Sequence, residues 1–307
     1  MMKKRVALIF IFFIGAIILN AQDMFDVRPL TTDPAQQGFA TWSPDGKYIV
    51  YQQTDKWDTV GNNGLWKITE DGTGEEQIYT GIAEHPKWSP DGHFIVFDAD
   101  RGNSIKMIPS NGGMPVTFLP DSIGIEKGGL PRWSPDASRI AFLENTTLSL
   151  CVHDIKTGST KRIFKKEGML PMPGCWSSDG KSILIALMDR QSRKSTIWKI
   201  SPDGMESSRI AGHHENLYRY LALSPCGSLL VYAAMEGRYL GLYIMPYDGG
   251  PSLPLAVTPN AHNEAPNWSP DGRMIAFNST RSDAFNIWIM DIDIDQIKRA
   301  LDRSDEH

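Results

Sequence analysis

Cysteine is scarce in this chain: Cys151, Cys175 and Cys226 are the only three among 307 residues. So few cannot build a disulfide framework in a chain this long, and without a Cys-x-x-Cys pair they argue against a structural zinc site. All three read as small buried hydrophobes. Positive charge is short as well. Lys and Arg number 31 against 36 Asp and Glu, for a net charge of −5. Without a basic run in the body of the chain, nucleic acid and anionic membrane surfaces are excluded as main partners. Local catalytic signatures are missing too: there is no Gly-x-Ser-x-Gly elbow, no His-Glu-x-x-His and no phosphate-cradling Gly loop. A sustained 3.6-residue period is also lacking, which sets aside a helical solenoid.

Long apolar runs are limited to the start. Lys3-Lys4-Arg5 precede the unbroken run Val6–Leu19, and Asn20-Ala21-Gln22 follow it. The run is shorter than the ~20 residues a bilayer span needs, so residues 1–21 read as a signal peptide with cleavage after Ala21. An uncleaved signal anchor is the competing reading. The first Cys is Cys151, far from this point, which argues against a lipid-anchored lipoprotein. After cleavage no stable membrane span is expected, and the protein would be periplasmic or secreted.

What the chain has in abundance is a repeat. Trp42-Ser43-Pro44-Asp45-Gly46 returns as Trp88-Ser89-Pro90-Asp91-Gly92 and as Trp133-Ser134-Pro135-Asp136-Ala137. It continues as Trp176-Ser177-Ser178-Asp179-Gly180, Leu223-Ser224-Pro225-Cys226-Gly227 and Trp268-Ser269-Pro270-Asp271-Gly272. Successive lead residues lie 43–47 positions apart. Pro fixes φ, Asp bonds the backbone ahead of it and Gly accepts positive φ, so each motif reads as a tight hairpin turn. A β-branched or aromatic strand follows, such as Phe94-Ile95-Val96-Phe97. A second hairpin then ends near Asp71-Gly72, Asn111-Gly112, Asp203-Gly204 or Asp248-Gly249. Units of about 45 residues with four strands fit propeller blades.

The expected fold is therefore all-β: a six-bladed β-propeller of four-stranded antiparallel blades over residues 22–292. A short C-terminal helical tail over 293–307 is marked by Ile294, Ile297 and Leu301 at helical spacing. The sixth unit lacks an outer strand, and Val27-Arg28-Pro29-Leu30-Thr31 is available to supply it and close the ring. The lead Trp residues (42, 88, 133, 176 and 268) are expected to pack the blades. Asp45, Asp91, Asp136, Asp179 and Asp271 are expected to shape the turns.

Over Asp26–Asp291 the chain resembles the TolB-like propellers. The resemblance rests on these repeats, on the lead-in Asn263-Glu264-Ala265-Pro266-Asn267-Trp268 and on Arg281-Ser282-Asp283. It implies a six-bladed propeller of the bacterial periplasm that binds envelope proteins. The chain has no room for the α/β domain that precedes the propeller in TolB, which argues against a direct Tol–Pal role. Similar repeats occur in propellers attached to prolyl-oligopeptidase-like enzymes and in pectate-degrading lyases, and no hydrolase domain is expected here.

Propeller sites gather residues from several blades. In this strand order, the segment entering each innermost strand shares a face with the loop between the second and third strands. Counting back from each lead residue places Glu84, His85, Arg219, Tyr220, His262 and Glu264 at that channel mouth. Gly129-Leu130 and Met172-Pro173 are the quiet equivalents. Trp57, Arg101, Asp189, Arg190, Glu236 and Arg281 are expected nearby. Such a ring suits a peptide tail, a polar ligand or a cation; the reading adopted is an envelope protein or peptide as ligand, with a monomeric propeller, no cofactor, no metal and no assigned catalytic residue. The alternative is a polysaccharide lyase or hydrolase with its site on the same face, and a third reading has an envelope partner on the propeller's side.

Overall fold

The computed structural model describes residues 25–55, 61–117, 125, 127–211 and 216–304. Residues 1–21, read above as a signal peptide, and Trp57 lie outside them. Among the described residues six four-stranded antiparallel sheets form, and five are built from consecutive strands. Their innermost strands are Gln36–Trp42, Ala83–Trp88, Gly128–Trp133, Met169–Trp176, Tyr218–Leu223 and, in the last blade, Asn263–Trp268. The sixth sheet borrows its outer strand from the other end of the chain. Val27–Pro29 pairs antiparallel with Ala284–Asp291, placing Val27 opposite Met290 and Pro29 opposite Trp288. Leu30 N–H and Thr31 N–H extend this seam to the Ile287 carbonyl at 2.8 and 3.2 Å. The result is a closed six-bladed propeller.

Why the sequence folds this way is visible in one strand. In Tyr48–Thr54 (YIVYQQT), side chains alternate between the two faces of the sheet. Ile49 and Tyr51 pack against blade six with Ala276, Ile287 and Ile289, whereas Val50 packs against blade two with Ile95 and Phe97. Both faces are covered, so the second strands carry continuous apolar runs rather than alternation. Each of the six apolar clusters joins two neighbouring blades. The core is thus a ring of interfaces around the channel.

The turn motif has the same wiring in five blades. In blade one, Ser43 Oγ donates to Asp45 Oδ1 at 2.6 Å and accepts from Tyr48 N–H at 2.9 Å, while Asp45 Oδ1 also accepts from Lys47 N–H at 3.2 Å. Asp91, Asp136, Asp179 and Asp271 accept from their own Ser at 2.5–2.7 Å. The lead indoles pack against the channel end of the blades. Trp176 and Trp268 donate through Nε1 to the carbonyls of Arg132 and Ala222 in the preceding blade.

In blade five Cys226 replaces the carboxylate. Its Sγ lies 3.3 Å from Ser224 Oγ and 3.1 Å from Ser228 Oγ, and the residue is exposed. The expectation of three buried cysteines therefore fails at Cys226, because position four of the motif points into the solvent-facing turn. Cys151 is buried and Cys175 half-buried.

The C-terminal helix, Ile294–Ser304, lies over the last two blades. Asp293 caps it by accepting from Gln296 N–H at 2.9 Å, and Ile297 and Leu301 bury against Leu229, Trp268 and Ile275. Among the described residues no helix is long and apolar enough to cross a membrane.

Candidate functional site at the channel mouth

Every innermost strand breaks its register within the four residues before its lead residue. In five blades the residue at the break takes a positive φ without being glycine: Phe39 (54°), His85 (51°), Leu130 (56°), Tyr220 (54°) and Ala265 (51°). A left-handed residue within a bulge re-aims its side chain, at a cost of ~1–2 kcal/mol. In blade four the position is Pro173, whose ring forbids that φ.

In three blades the freed backbone N–H is met by a polar side chain of the preceding blade. Phe39 N–H donates to Asn278 Oδ1 at 2.9 Å, His85 N–H to Gln52 Oε1 at 3.0 Å and Leu130 N–H to Asp98 Oδ1 at 2.8 Å. Each acceptor sits ten residues after the lead residue of the preceding blade. At the equivalent place before Pro173 stands Leu143, and no acceptor is needed there because proline has no N–H. Gly38 and Gly129 make room for two of the acceptors. A Cβ on Gly38 would come within 2.8 Å of Asn278 Nδ2, and one on Gly129 within 2.9 Å of Asp98 Oδ2.

The bulge residues converge. The Phe39 ring meets His85 edge-on at 4.2 Å between centroids and Tyr220 at 5.5 Å, linking blades one, two and five across the axis. Around this aromatic floor stand the charges. His85 Nδ1 is 2.8 Å from Asp98 Oδ2, so Asp98, 4% exposed, holds both the imidazole and the next blade's backbone. Arg219 lies over the Tyr220 ring at 5.0 Å, and its Nε is buried with no hydrogen-bond partner among the described residues. Burial pushes the Glu264 carboxyl above its ordinary range, against the opposing pull of Arg219, the amide of Asn278 and His85. Burial likewise raises the Tyr220 phenol to about 12, with Glu264 adding to the shift. Glu84 is half-buried, and its carboxylate makes no hydrogen bond to a described residue.

His85, Arg219, Tyr220 and Glu264 thus come together from blades two, five and six, with Glu84 on the same strand as His85. His262 is placed apart. Its Nδ1 accepts from Leu240 N–H at 3.2 Å, and its ring packs 5.3 Å from Tyr239, toward blade five. Of the loop residues, Arg281 is spent on Ser279, Thr258 and Asn263 and lies over Trp288. Glu236 accepts from the Tyr243 hydroxyl at 2.6 Å, and Asp189 caps its own turn through the N–H groups of Gln191 and Ser192. Arg190 anchors that turn through its backbone, and Arg101 holds a left-handed turn position with φ 60°. Among the described residues no three His, Cys, Asp or Glu side chains gather as a metal ion would require. Phe39, Asp98, Gln52 and Asn278 escaped the sequence reading. For the last three the signal was a polar residue directly after an apolar run, as in Phe97-Asp98 and Phe277-Asn278.

Fold and site define a six-bladed propeller whose channel mouth is a charged, aromatic-floored pit. The sequence model of the TolB beta propeller domain matches residues 128–299, and the chain belongs to that family. An uncharacterised protein of Agrobacterium fabrum is 26% identical over 258 residues, which is 77% of this chain and 82% of that protein. Among solved structures, a provisionally assigned TolB from Agrobacterium tumefaciens superposes with a TM-score of 0.62 at 22% identity, over 87% of this chain and 94% of that one. An oligogalacturonate lyase from Vibrio parahaemolyticus gives 0.60 at 13% identity, over 90% and 96%. At these identities the solved structures speak for the fold alone.

Proposed function

We propose that the protein is an exported scaffold of the bacterial envelope that binds a polypeptide segment at the channel mouth. The observation that carries this reading is the unspent polar capacity over an aromatic floor. Among the described residues Arg219 Nε has no hydrogen-bond partner and the Glu84 carboxylate is unengaged, while Glu264 is desolvated, all beside Phe39, His85 and Tyr220. A buried donor without a partner costs ~1–3 kcal/mol, which a ligand acceptor would recover. Aromatic and Arg side chains in a pit are also the groups that dominate protein recognition. The basic and apolar segment Lys3–Leu19 supports export, and membership of the TolB propeller family supports an envelope setting. The test is capture from native envelope extract. Glu84→Ala combined with Glu264→Ala should lose the partner that the unaltered protein retains, and unchanged capture would refute the mouth as its site.

One observation favours a second reading, that of a glycan lyase or hydrolase. His85 is oriented by a carboxylate at 2.8 Å, and its Nε2 makes no hydrogen bond to a described residue, an arrangement suited to a general base. Likeness in fold to an oligogalacturonate lyase points the same way. Turnover of oligogalacturonate or another glycan that vanishes in His85→Ala would favour this reading over the scaffold.

A further inference from the structure

The opposite end of the channel has its own chemistry. There a cavity of about 470 Å³ is lined by the residue directly before each lead position: Thr41, Lys87, Arg132, Cys175, Ala222 and Asn267. Its composition is lopsided. Two adjacent blades supply a Lys and an Arg, and no Asp or Glu lines the cavity.

Neither cation forms an ion pair with a described residue, although Arg132 feels the more distant Asp98. Arg132 is 8% exposed and held rigidly, with Nε donating to Gly174 O at 2.6 Å and Nη1 to Pro131 O at 2.8 Å. Its Nη2 makes no hydrogen bond to a described residue. The Lys87 ammonium has neither hydrogen bond nor ion pair with a described residue, and it lies within the field of Arg132. Burial, reinforced by Arg132, brings the Lys87 ammonium down to about 7, with Cys175 acting weakly the other way. Arg132 falls to about 10 through burial, offset by Asp98, Cys175 and Tyr220. Lys87 is half-buried and Arg132 buried, so two like charges sit side by side in a recessed pit with restricted hydration, and an anion placed between them is favoured.

The approach to the pit is apolar. Pro44, Pro90, Pro135, Pro225 and Pro270 ring its rim, with Ser178 in the sixth place, and lead Trp residues line the wall behind them. A free inorganic anion gains nothing from that collar, whereas an acid with an apolar body buries surface against it. We propose that this end of the channel binds a carboxylate borne on an apolar chain, with Lys87 and the free Nη2 of Arg132 as its hydrogen-bond donors. The carboxylate can belong to a free organic acid or to a peptide C-terminus.

The test is titration of the protein at pH 6, where Lys87 is charged, followed by calorimetry and amide NMR. Probes are sodium hexanoate, hexanamide, inorganic phosphate, and a Gly-Val-Leu peptide with a free or amidated C-terminus. Hexanoate should bind saturably, and hexanamide and phosphate more weakly. Lys87→Met should weaken hexanoate roughly tenfold or more, while Lys47→Ala, an exposed cation elsewhere, leaves it unchanged. Arg132→Lys, which keeps the charge but loses the fixed fork, should weaken it less than Lys87→Met. If the free-acid peptide binds more tightly than hexanoate while its amide does not, a chain terminus is the source; the reverse order marks a small acid. Absence of saturable hexanoate binding, phosphate binding tighter than hexanoate, or equal affinity in Lys87→Met would each overturn the assignment.

Discussion

Serine and aspartate repeat at the first turn of five blades, and their hydrogen bonds fix where each carboxylate titrates. The bonds from Ser134 and Ser138 hold Asp136 down to about 2, below its ordinary 3.8. A depressed carboxylate stabilises the fold above its unfolded value and loses that contribution as pH falls through its folded value. Stability should therefore fall between pH 4 and 2, and Asp136→Ala should cost about 1 kcal/mol at pH 7 by urea denaturation. Lys87 works in the other window. Its ammonium is depressed from 10.5 to about 7, so the folded protein binds fewer protons than the unfolded chain between those values. Stability should rise with pH from 7 to 10, and Lys87→Met should flatten that slope in melting temperatures. The groups facing Lys87 are Arg132 and Cys175, and Cys175 is itself pushed up to about 12 by burial.

At the scale of the strand, the bulge decides which side chains reach the axis. Gly129→Ala is the sharpest probe, because its Cβ would meet Asp98 Oδ2 at 2.9 Å. The carboxylate must then shift from His85 and from Leu130 N–H. A stability loss of ~1–3 kcal/mol is expected, together with a displaced His85 imidazole resonance in NMR. The strands and turns themselves were legible in the sequence, since Trp-Ser-Pro-Asp-Gly and the apolar runs after it are local patterns. Glu84, His85, Arg219, Tyr220 and Glu264 were reachable by counting back from each lead residue. Phe39 was not, because that count sought polar side chains, and only the bulge turns its ring onto His85 and Tyr220. His262 shows the converse: two residues before Glu264 in sequence, it faces blade five instead. Lys87 and Arg132 were readable as charges directly before a lead Trp, but their shared cavity depends on ring closure.

For the whole molecule, closure is the organising event. Six apolar clusters each need two blades, and the last blade needs Val27–Pro29. A chain beginning at Asp33 would leave Ala284–Asp291 as a bare edge. It should melt well below the full protein and aggregate on heating, as light scattering would show. The closed ring also divides the interior, with polar acceptors Asn278, Gln52 and Asp98 serving blades one to three, and Leu143 standing where Pro173 removes the need. The mouth and the Lys87–Arg132 pit lie on opposite sides of the Phe39 layer. The claim that most needs testing is that a polypeptide occupies the mouth. A photo-crosslinking amino acid at position 84, compared in living cells with one at the exposed outer-edge position of Val116, reads this directly. A discrete polypeptide adduct is expected from position 84 and none from position 116. An adduct from position 116 alone would place the partner on the propeller's side and contradict the claim.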